Sequence, residues 1–254
     1  MPAAPPARGA SVIRSAVLAC VLLEGCRTEA ARHPLFRLLP PARTGVTFAN
    51  TITTSDSENL QKDVYIYNGA GVAIGDIDND GLPDIFFAGN MVSSRLYRNL
   101  GNLRFEDITQ SAGVTTNRWA TGATMVDINN DGYLDIYVSV SGPEGSKGKD
   151  RANLLFINNG NGTFTEAAAR YGIADTGFTT HAVFLDYNGD GCLDLFFIHV
   201  MDAGKLEGQG CRANRSSAVN GKGCALRFLR LEFHFSLHGE TPVQNFARAG
   251  PGRR

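Results

Sequence analysis

Residues 71–90 read GVAIGDIDNDGLPDIFFAGN, in which an acidic loop lies between two apolar runs. Its four carboxylates alternate along the chain and then close the loop, at Asp76, Asp78, Asp80 and Asp84. Carboxylates this close repel one another unless a cation compensates their charge. Hard oxygen ligands at alternate positions suit Ca²⁺, which takes about six to eight oxygens. Gly81 follows the third acid, where the chain has to turn sharply around an ion, and glycine allows that geometry without steric cost.

The same loop occurs three times, at residues 76–84, 127–135 and 186–194 (loops 1, 2 and 3). The second starts 51 residues after the first and the third 59 residues after the second, each between apolar runs. A single loop of this kind is also consistent with a solvated turn, but three with one spacing predict Ca²⁺ binding. The predicted ligands stand at positions 1, 3, 5, 7 and 9, with a backbone carbonyl at position 7. They are Asp76, Asp78, Asp80, Leu82 and Asp84; Asp127, Asn129, Asp131, Tyr133 and Asp135; and Asp186, Asn188, Asp190, Cys192 and Asp194.

These loops differ from an EF-hand, in which a glutamate at position 12 closes the site between two helices. Here position 12 is Phe87, Val138 or Phe197, and the closing carboxylate stands at position 9. The flanking runs are short and rich in Val, Ile, Phe and Tyr, which favours strands. The sequence therefore predicts a strand–loop–strand site. By charge count, loop 1 is expected to bind Ca²⁺ most tightly.

The order of an apolar run, DxDxDGxxD, a second apolar run, a hairpin and an aromatic residue resembles the FG-GAP/VCBS-type repeat of integrin alpha-chain propellers. It is also similar to bacterial surface VCBS repeat lipoproteins and to the cartilage acidic protein-like family. The resemblance covers about residues 45–200. It implies an all-β fold, a β-propeller with one repeat per blade and ions on the loops. Because closed propellers need about four to eight blades, about three repeats predict an incomplete one, with further blades supplied by a longer protein or by partner chains.

The N-terminal residues 1–26 are typical of an export signal. Arg8 and Arg14 precede an apolar run at 15–23 that is too short to span a bilayer. Cys26 follows in LEGC, which resembles the lipobox of bacterial lipoproteins, although Glu24 departs from it. Three interpretations remain open: acylation of Cys26 at a bacterial outer membrane or cell surface, plain secretion, or neither of these. Residues 27–44 are interpreted as a tether.

Between the loops, the sequence predicts about four short strands per repeat, which make a blade. Residues 45–50 (GVTFAN) and 64–68 (VYIYN) are predicted strands ahead of loop 1. Hairpin signals follow at residues 99–102 and 161–162. Phe105 and Phe164 stand at matching places and are predicted to fill the blade core.

Residues 201–254 leave this pattern. They carry 9 basic against 4 acidic residues, whereas residues 1–200 carry 15 against 21. Only 226–235 (LRFLRLEFHF) is predicted to be a strand, and Cys211 and Cys224 either pair or remain thiols. This atypical basic tail suggests a truncated or frame-shifted end.

No catalytic signature (G-x-S-x-G, H-E-x-x-H, Walker loop or C-x-x-C) occurs in the sequence. The acidic balance of residues 1–200 argues against a nucleic-acid partner. A non-enzymatic, calcium-stabilised binding or scaffold module is the favoured interpretation, with a glycan or surface protein as the ligand that the resemblance implies. The alternatives are a fragment of a carbohydrate-active enzyme whose catalytic region lies elsewhere, and a fragment that does not fold stably.

Overall fold

The computed structural model describes residues 35–62, 66–143, 146–201, 213–219 and 225–234, and from residue 200 onward only strands and their pairing. Cys26, Cys211 and Cys224 lie outside the described residues, as does all of the predicted export signal. Residues 35–39 belong to an N-terminal unit, and the described residues from Pro40 onward belong to a second, compact unit. In the part of the chain that the structure describes, no helix has the length and apolarity needed to cross a membrane.

The fold is all-β, built from three four-stranded sheets in chain order. In blade 1 the strands are β1 (Val72–Gly75), β2 (Asp84–Phe87), β3 (Arg95–Asn99) and β4 (Phe105–Asp107). In blade 2 they are β5 (Ala120–Val126), β6 (Asp135–Val140), β7 (Leu154–Asn158) and β8 (Phe164–Glu166). Both blades are antiparallel meanders in sequence order. Each loop joins the first two strands of its sheet, as the repeat predicts.

The third sheet departs from this meander. Its strands are β9 (Thr179–Leu185), β10 (Asp194–Met201), β11 (Ala213–Val219) and β12 (Ala225–His234). Their order is β11-β12-β10-β9, and β12 runs parallel to β10 where the first two blades have an antiparallel hairpin. The strand predicted at 226–235 is present as β12, and β11 was not predicted. Three such sheets in the described residues are fewer than a closed propeller needs.

Short helices lie before and between the strands. They are α1 (Pro41–Thr44), α2 (Thr109–Ala112) and a 3-10 turn (Gly148–Arg151). α2 ends at Gly113 in the left-handed conformation, a common helix stop.

Two apolar cores lie between neighbouring sheets. The first joins blades 1 and 2 around Phe86 and Ile136, and the second joins blade 2 to the third sheet around Tyr137 and Leu195. The strand β6 is buried along its whole length because blade 2 is covered on both faces. Phe164 packs in the first core as predicted. Its counterpart Phe105 is only half-buried.

Of the two strand predictions ahead of loop 1, the first is wrong and the second is tested only over its described residues, 66–68, which are not in a strand. Residues 45–50 have no regular secondary structure, because tertiary contacts replace a strand ladder: Phe48 stacks on Phe87 with ring centroids 5.2 Å apart, and the Thr47 N–H donates to the Tyr97 hydroxyl at 3.2 Å. Of residues 64–68, 66–68 lie in a turn, and 63–65 are outside the described residues.

Candidate metal centre

The three loops share one backbone path, set by residues of left-handed conformation. Position 6 is glycine in every loop, with φ of 86°, 92° and 80° at Gly81, Gly132 and Gly191. Position 4 is also left-handed, with φ of 60° at Asn79 and 57° at Asn130. Asparagine tolerates this region better than other side chains. Positions 4 and 6 of each loop are therefore occupied by residues that favour the left-handed conformation of the turn.

The first aspartate of each loop holds the turn together. In loop 1 the Asp76 carboxylate accepts the Asp80 N–H at 3.2 Å and the Gly81 N–H at 2.8 Å. Asp127 accepts the matching N–H groups at 3.0 and 2.9 Å, and Asp186 does so at 3.1 and 2.8 Å.

The position-5 aspartates fix the next residue in the same way. Each accepts the N–H of position 7, at 2.7 Å for Leu82, 2.9 Å for Tyr133 and 2.9 Å for Cys192. The position-7 residues, whose carbonyls are predicted ligands, are therefore fixed by these bonds in all three loops. Cys192 is also disulfide-bonded.

The aspartates at position 9, which close the three loops, are buried. Asp84, Asp135 and Asp194 are 1%, 0% and 5% exposed. Each accepts the N–H of position 2 of its own loop, from Ile77 at 2.9 Å in loop 1 and from Ile128 at 3.0 Å in loop 2; loop 3 repeats this bond from Tyr187 at 3.1 Å.

Loop 1 brings three carboxylates together. Oxygens of Asp76, Asp78 and Asp84 all lie within 4.8 Å of one another. Two oxygens bound to one Ca²⁺ at about 2.3–2.6 Å lie no more than about 5 Å apart, so this set fits the ion. Among the described residues, only loop 1 gathers three acidic side chains at this separation.

Loops 2 and 3 carry an amide at position 3 in place of an acid. The Asn129 amide donates to the Asp131 carboxylate at 2.8 Å, and the Asn188 amide donates to Asp190 at 2.8 Å. Each amide oxygen accepts the position-5 N–H, at 3.1 and 3.2 Å. These residues have the donor types of a calcium site, but the amide nitrogen is the atom that contacts the neighbouring acid.

The electrostatics of the loops favour a cation. Burial raises the pKa of Asp78, and the Asp80 carboxylate raises it further. Burial likewise raises the pKa of Asp84 and raises that of Asp135 to about 7, against bonds from the Asn158 and Ile128 N–H groups that lower it. A buried carboxylate with these shifts lacks a compensating charge, and a divalent cation supplies one.

A family model matches the part of the chain that holds the three loops. The model of the FG-GAP-like repeat matches residues 76–138 and 141–197, which include all three loops. These two segments, together just under half of the chain, are similar to the FG-GAP-like repeat. That repeat is of the β-propeller type, in agreement with the blades described above.

The chain is also similar to cartilage acidic protein 1 from three vertebrates. The Xenopus tropicalis protein is 29% identical over 149 residues, covering 58% of this chain and 22% of its own length. The Mus musculus protein is 27% identical over 156 residues, covering 60% and 23%. The Homo sapiens protein is 28% identical over 135 residues, covering 52% and 20%. The chain thus spans about a fifth of the length of these curated relatives.

Sequence reasoning missed the asparagines beside the loops. Asn99 and Asn158 end the third strands of blades 1 and 2, and their backbone N–H groups donate to Asp84 and Asp135, each at 2.7 Å. Both stand two residues before the glycine of a hairpin. This repeated place in the sequence was the signal available to find them.

Proposed function

We propose that the chain is an exported, calcium-stabilised FG-GAP module that binds or scaffolds. The observation that carries the proposal is the convergence of the Asp76, Asp78 and Asp84 oxygens within 4.8 Å of one another in the most acidic of three repeated loops. Asp80, the remaining acid of that loop, and the Leu82 carbonyl complete the proposed ligand set of the first site. The matching residues of loops 2 and 3 hold the other two ions.

The bound ions supply a fixed positive charge at each loop, and the protein supplies the oxygen ligands. In the absence of cations the buried Asp84 and Asp135 carboxyls lie in an environment that disfavours their charge. Because Ca²⁺ binds the folded loops and not the unfolded chain, its binding free energy adds to stability.

A catalytic role for these carboxylates is disfavoured by their contacts. Glycoside hydrolysis needs two carboxyl groups across an open cleft, one of them able to give up a proton. Asp76 accepts backbone N–H bonds and Asp84 is buried, so neither faces a substrate cleft. These contacts support a binding or scaffold module over an enzyme.

Export is supported by the leader-like residues 1–26 and by the printed name of the relatives, cartilage acidic protein 1. Acylation of Cys26 at a cell surface is the more specific form of the proposal. The ligand is proposed to be a glycan or another surface protein.

Titration calorimetry of the full chain with Ca²⁺, and with Mg²⁺ as the comparison ion, tests the calcium proposal. We expect saturable binding of Ca²⁺ that millimolar Mg²⁺ does not replace, since Mg²⁺ demands a smaller octahedral site. Absence of Ca²⁺ binding by folded protein would overturn it.

Incubating the calcium-loaded chain with a glycan panel, and scoring both retention and hydrolysis, tests the binding role of the module. Turnover of a glycan would contradict that role.

A further inference from the structure

Two side-chain amides connect loop 1 with blade 2. The Asn79 amide, at position 4 of loop 1, donates to the Gly132 carbonyl of loop 2 at 3.0 Å. The Asn158 amide, at the end of β7, donates to the Ile77 carbonyl of loop 1 at 2.8 Å. Asn158 is 3% exposed, so its bonds do not compete with bulk water.

Asn158 also links the two closing carboxylates, Asp84 and Asp135, by a path of hydrogen bonds that passes through Ile77. Asp84 accepts the Ile77 N–H at 2.9 Å, and the carbonyl of Ile77 accepts the Asn158 amide. The backbone N–H of Asn158 then donates to Asp135 at 2.7 Å. A single residue of each blade therefore connects the position-9 ligand of one loop to that of the other.

We propose that the first two calcium sites bind their ions cooperatively, with Asn158 as the coupling residue. The proposal rests on the calcium function proposed above. An ion in loop 2 fixes Asp135 and with it Asn158, whose amide holds the Ile77 residue that Asp84 also binds. The second ion then enters a loop that is already ordered, and its binding costs less conformational entropy.

Asn99 offers a matched control within the same chain. Its amide donates to the Pro83 carbonyl of its own loop at 2.8 Å, as the Asn158 amide donates to Leu134 at 3.1 Å. Its side-chain oxygen accepts the Gly101 N–H at 2.9 Å, and Asn158 accepts the Gly160 N–H at 3.0 Å. The two asparagines make the same three hydrogen bonds within their blades, and Asn158 makes the additional bond to the preceding loop.

The third site is expected to remain outside this coupling. The corresponding strand of the third sheet is β12 (Ala225–His234), which runs parallel to β10 and contains no asparagine in its sequence. No residue of β12 therefore repeats the asparagine bond to the preceding loop.

Calcium titration of the full chain in a background lacking the third site, Asp186→Ala with Asp190→Ala, tests the coupling. Site 1 is measured alone after Asp127→Ala with Asp131→Ala, and site 2 alone after Asp76→Ala with Asp80→Ala. When both sites are present, the product of the two Ca²⁺ association constants should exceed the product of the constants measured at the separate sites by at least about 5-fold. Asn158→Ala should abolish this excess, and Asn99→Ala should retain it.

Each outcome has one meaning. Binding of two ions with no excess affinity would overturn the coupling while leaving the calcium function intact, whereas absence of calcium binding would overturn both. Equal loss of the excess in Asn99→Ala would assign the effect to the hairpins and contradict the role of Asn158. If Asn158→Ala does not fold, Asn158→Ser decides, because a hydroxyl can still accept the Gly160 N–H but the side chain is too short to reach the Ile77 carbonyl: loss of the excess supports the role of Asn158, and a retained excess overturns it.

Discussion

Asp76 and Asp80 carry the turn of loop 1, and both are proposed ligands of its ion. Changing both to alanine should remove one bound Ca²⁺ per chain, because two ligands and three hydrogen bonds to backbone N–H groups are lost together. Calcium stoichiometry measured by calorimetry checks this, with the exposed Asp56→Ala as the control. An unchanged stoichiometry would defeat the ligand assignment.

Protonation of Asp135 should make the free energy of unfolding of the calcium-free protein depend on pH. Its pKa is raised to about 7 by burial, so between pH 4 and that value the folded state keeps a proton that the unfolded chain releases. The free energy of unfolding should therefore fall as the pH rises through this range and level off above it. The raised pKa values of Asp78 and Asp84 act in the same direction.

Denaturant unfolding at a series of pH values in calcium-free buffer measures this slope. Asp135→Asn should flatten it, because the amide does not titrate. Saturating Ca²⁺ should reverse it, since the ion requires the ionised carboxylate. Stability that rises between pH 4 and 7 without calcium would contradict the assignment.

The strands bury their apolar residues unequally because blade 2 lies between two neighbours. Ile136 in β6 is 0% exposed, whereas Ile74 in β1 is 64% exposed. Ile136→Ala should lower the free energy of unfolding by about 2–5 kcal/mol, and Ile74→Ala by less than about 1 kcal/mol. Chemical denaturation of both variants checks the difference, and equal losses would show that the first core is not packed as described.

The loops and the strands that flank them could be predicted from the sequence, because their signals are local. A ligand-spaced loop between two apolar runs specifies both the turn and the hairpin around it. Residues 45–50 misled the prediction because GVTFAN alternates like a strand, while the stacking of Phe48 on Phe87 is a tertiary contact. The parallel pairing of β12 with β10 also depends on which segments meet in space. A local hydrophobic pattern does not specify that pairing.

The carboxylates that meet in loop 1 could be predicted from the sequence, and the residues that surround them could not. Spacing alone identified Asp76, Asp78 and Asp84, which the structure brings together. The amide of Asn158 reaches a carbonyl 81 residues away in the chain, so no sequence window contains both partners.

For the molecule in its cell, attachment through Cys26 is the prediction that depends on the leader. Cys26→Ser should release the protein from the membrane fraction, because a lipid attached to that thiol provides the anchor. Fractionation with metabolic labelling by a fatty acid measures it, and Cys192, which lies in loop 3, should carry no label in either form. Continued acylation of the variant would refute the lipobox.

Thermal unfolding of the full chain, in millimolar Ca²⁺ and in excess chelator, measures directly whether the three loops hold structural ions. If three loops hold structural ions, each adds stability by mass action, and the midpoint should be higher with calcium by at least about 5 °C. Millimolar Mg²⁺ should give a much smaller rise. A cooperative transition with the same midpoint in calcium and in chelator would contradict the account, because the loops would then be ordinary turns.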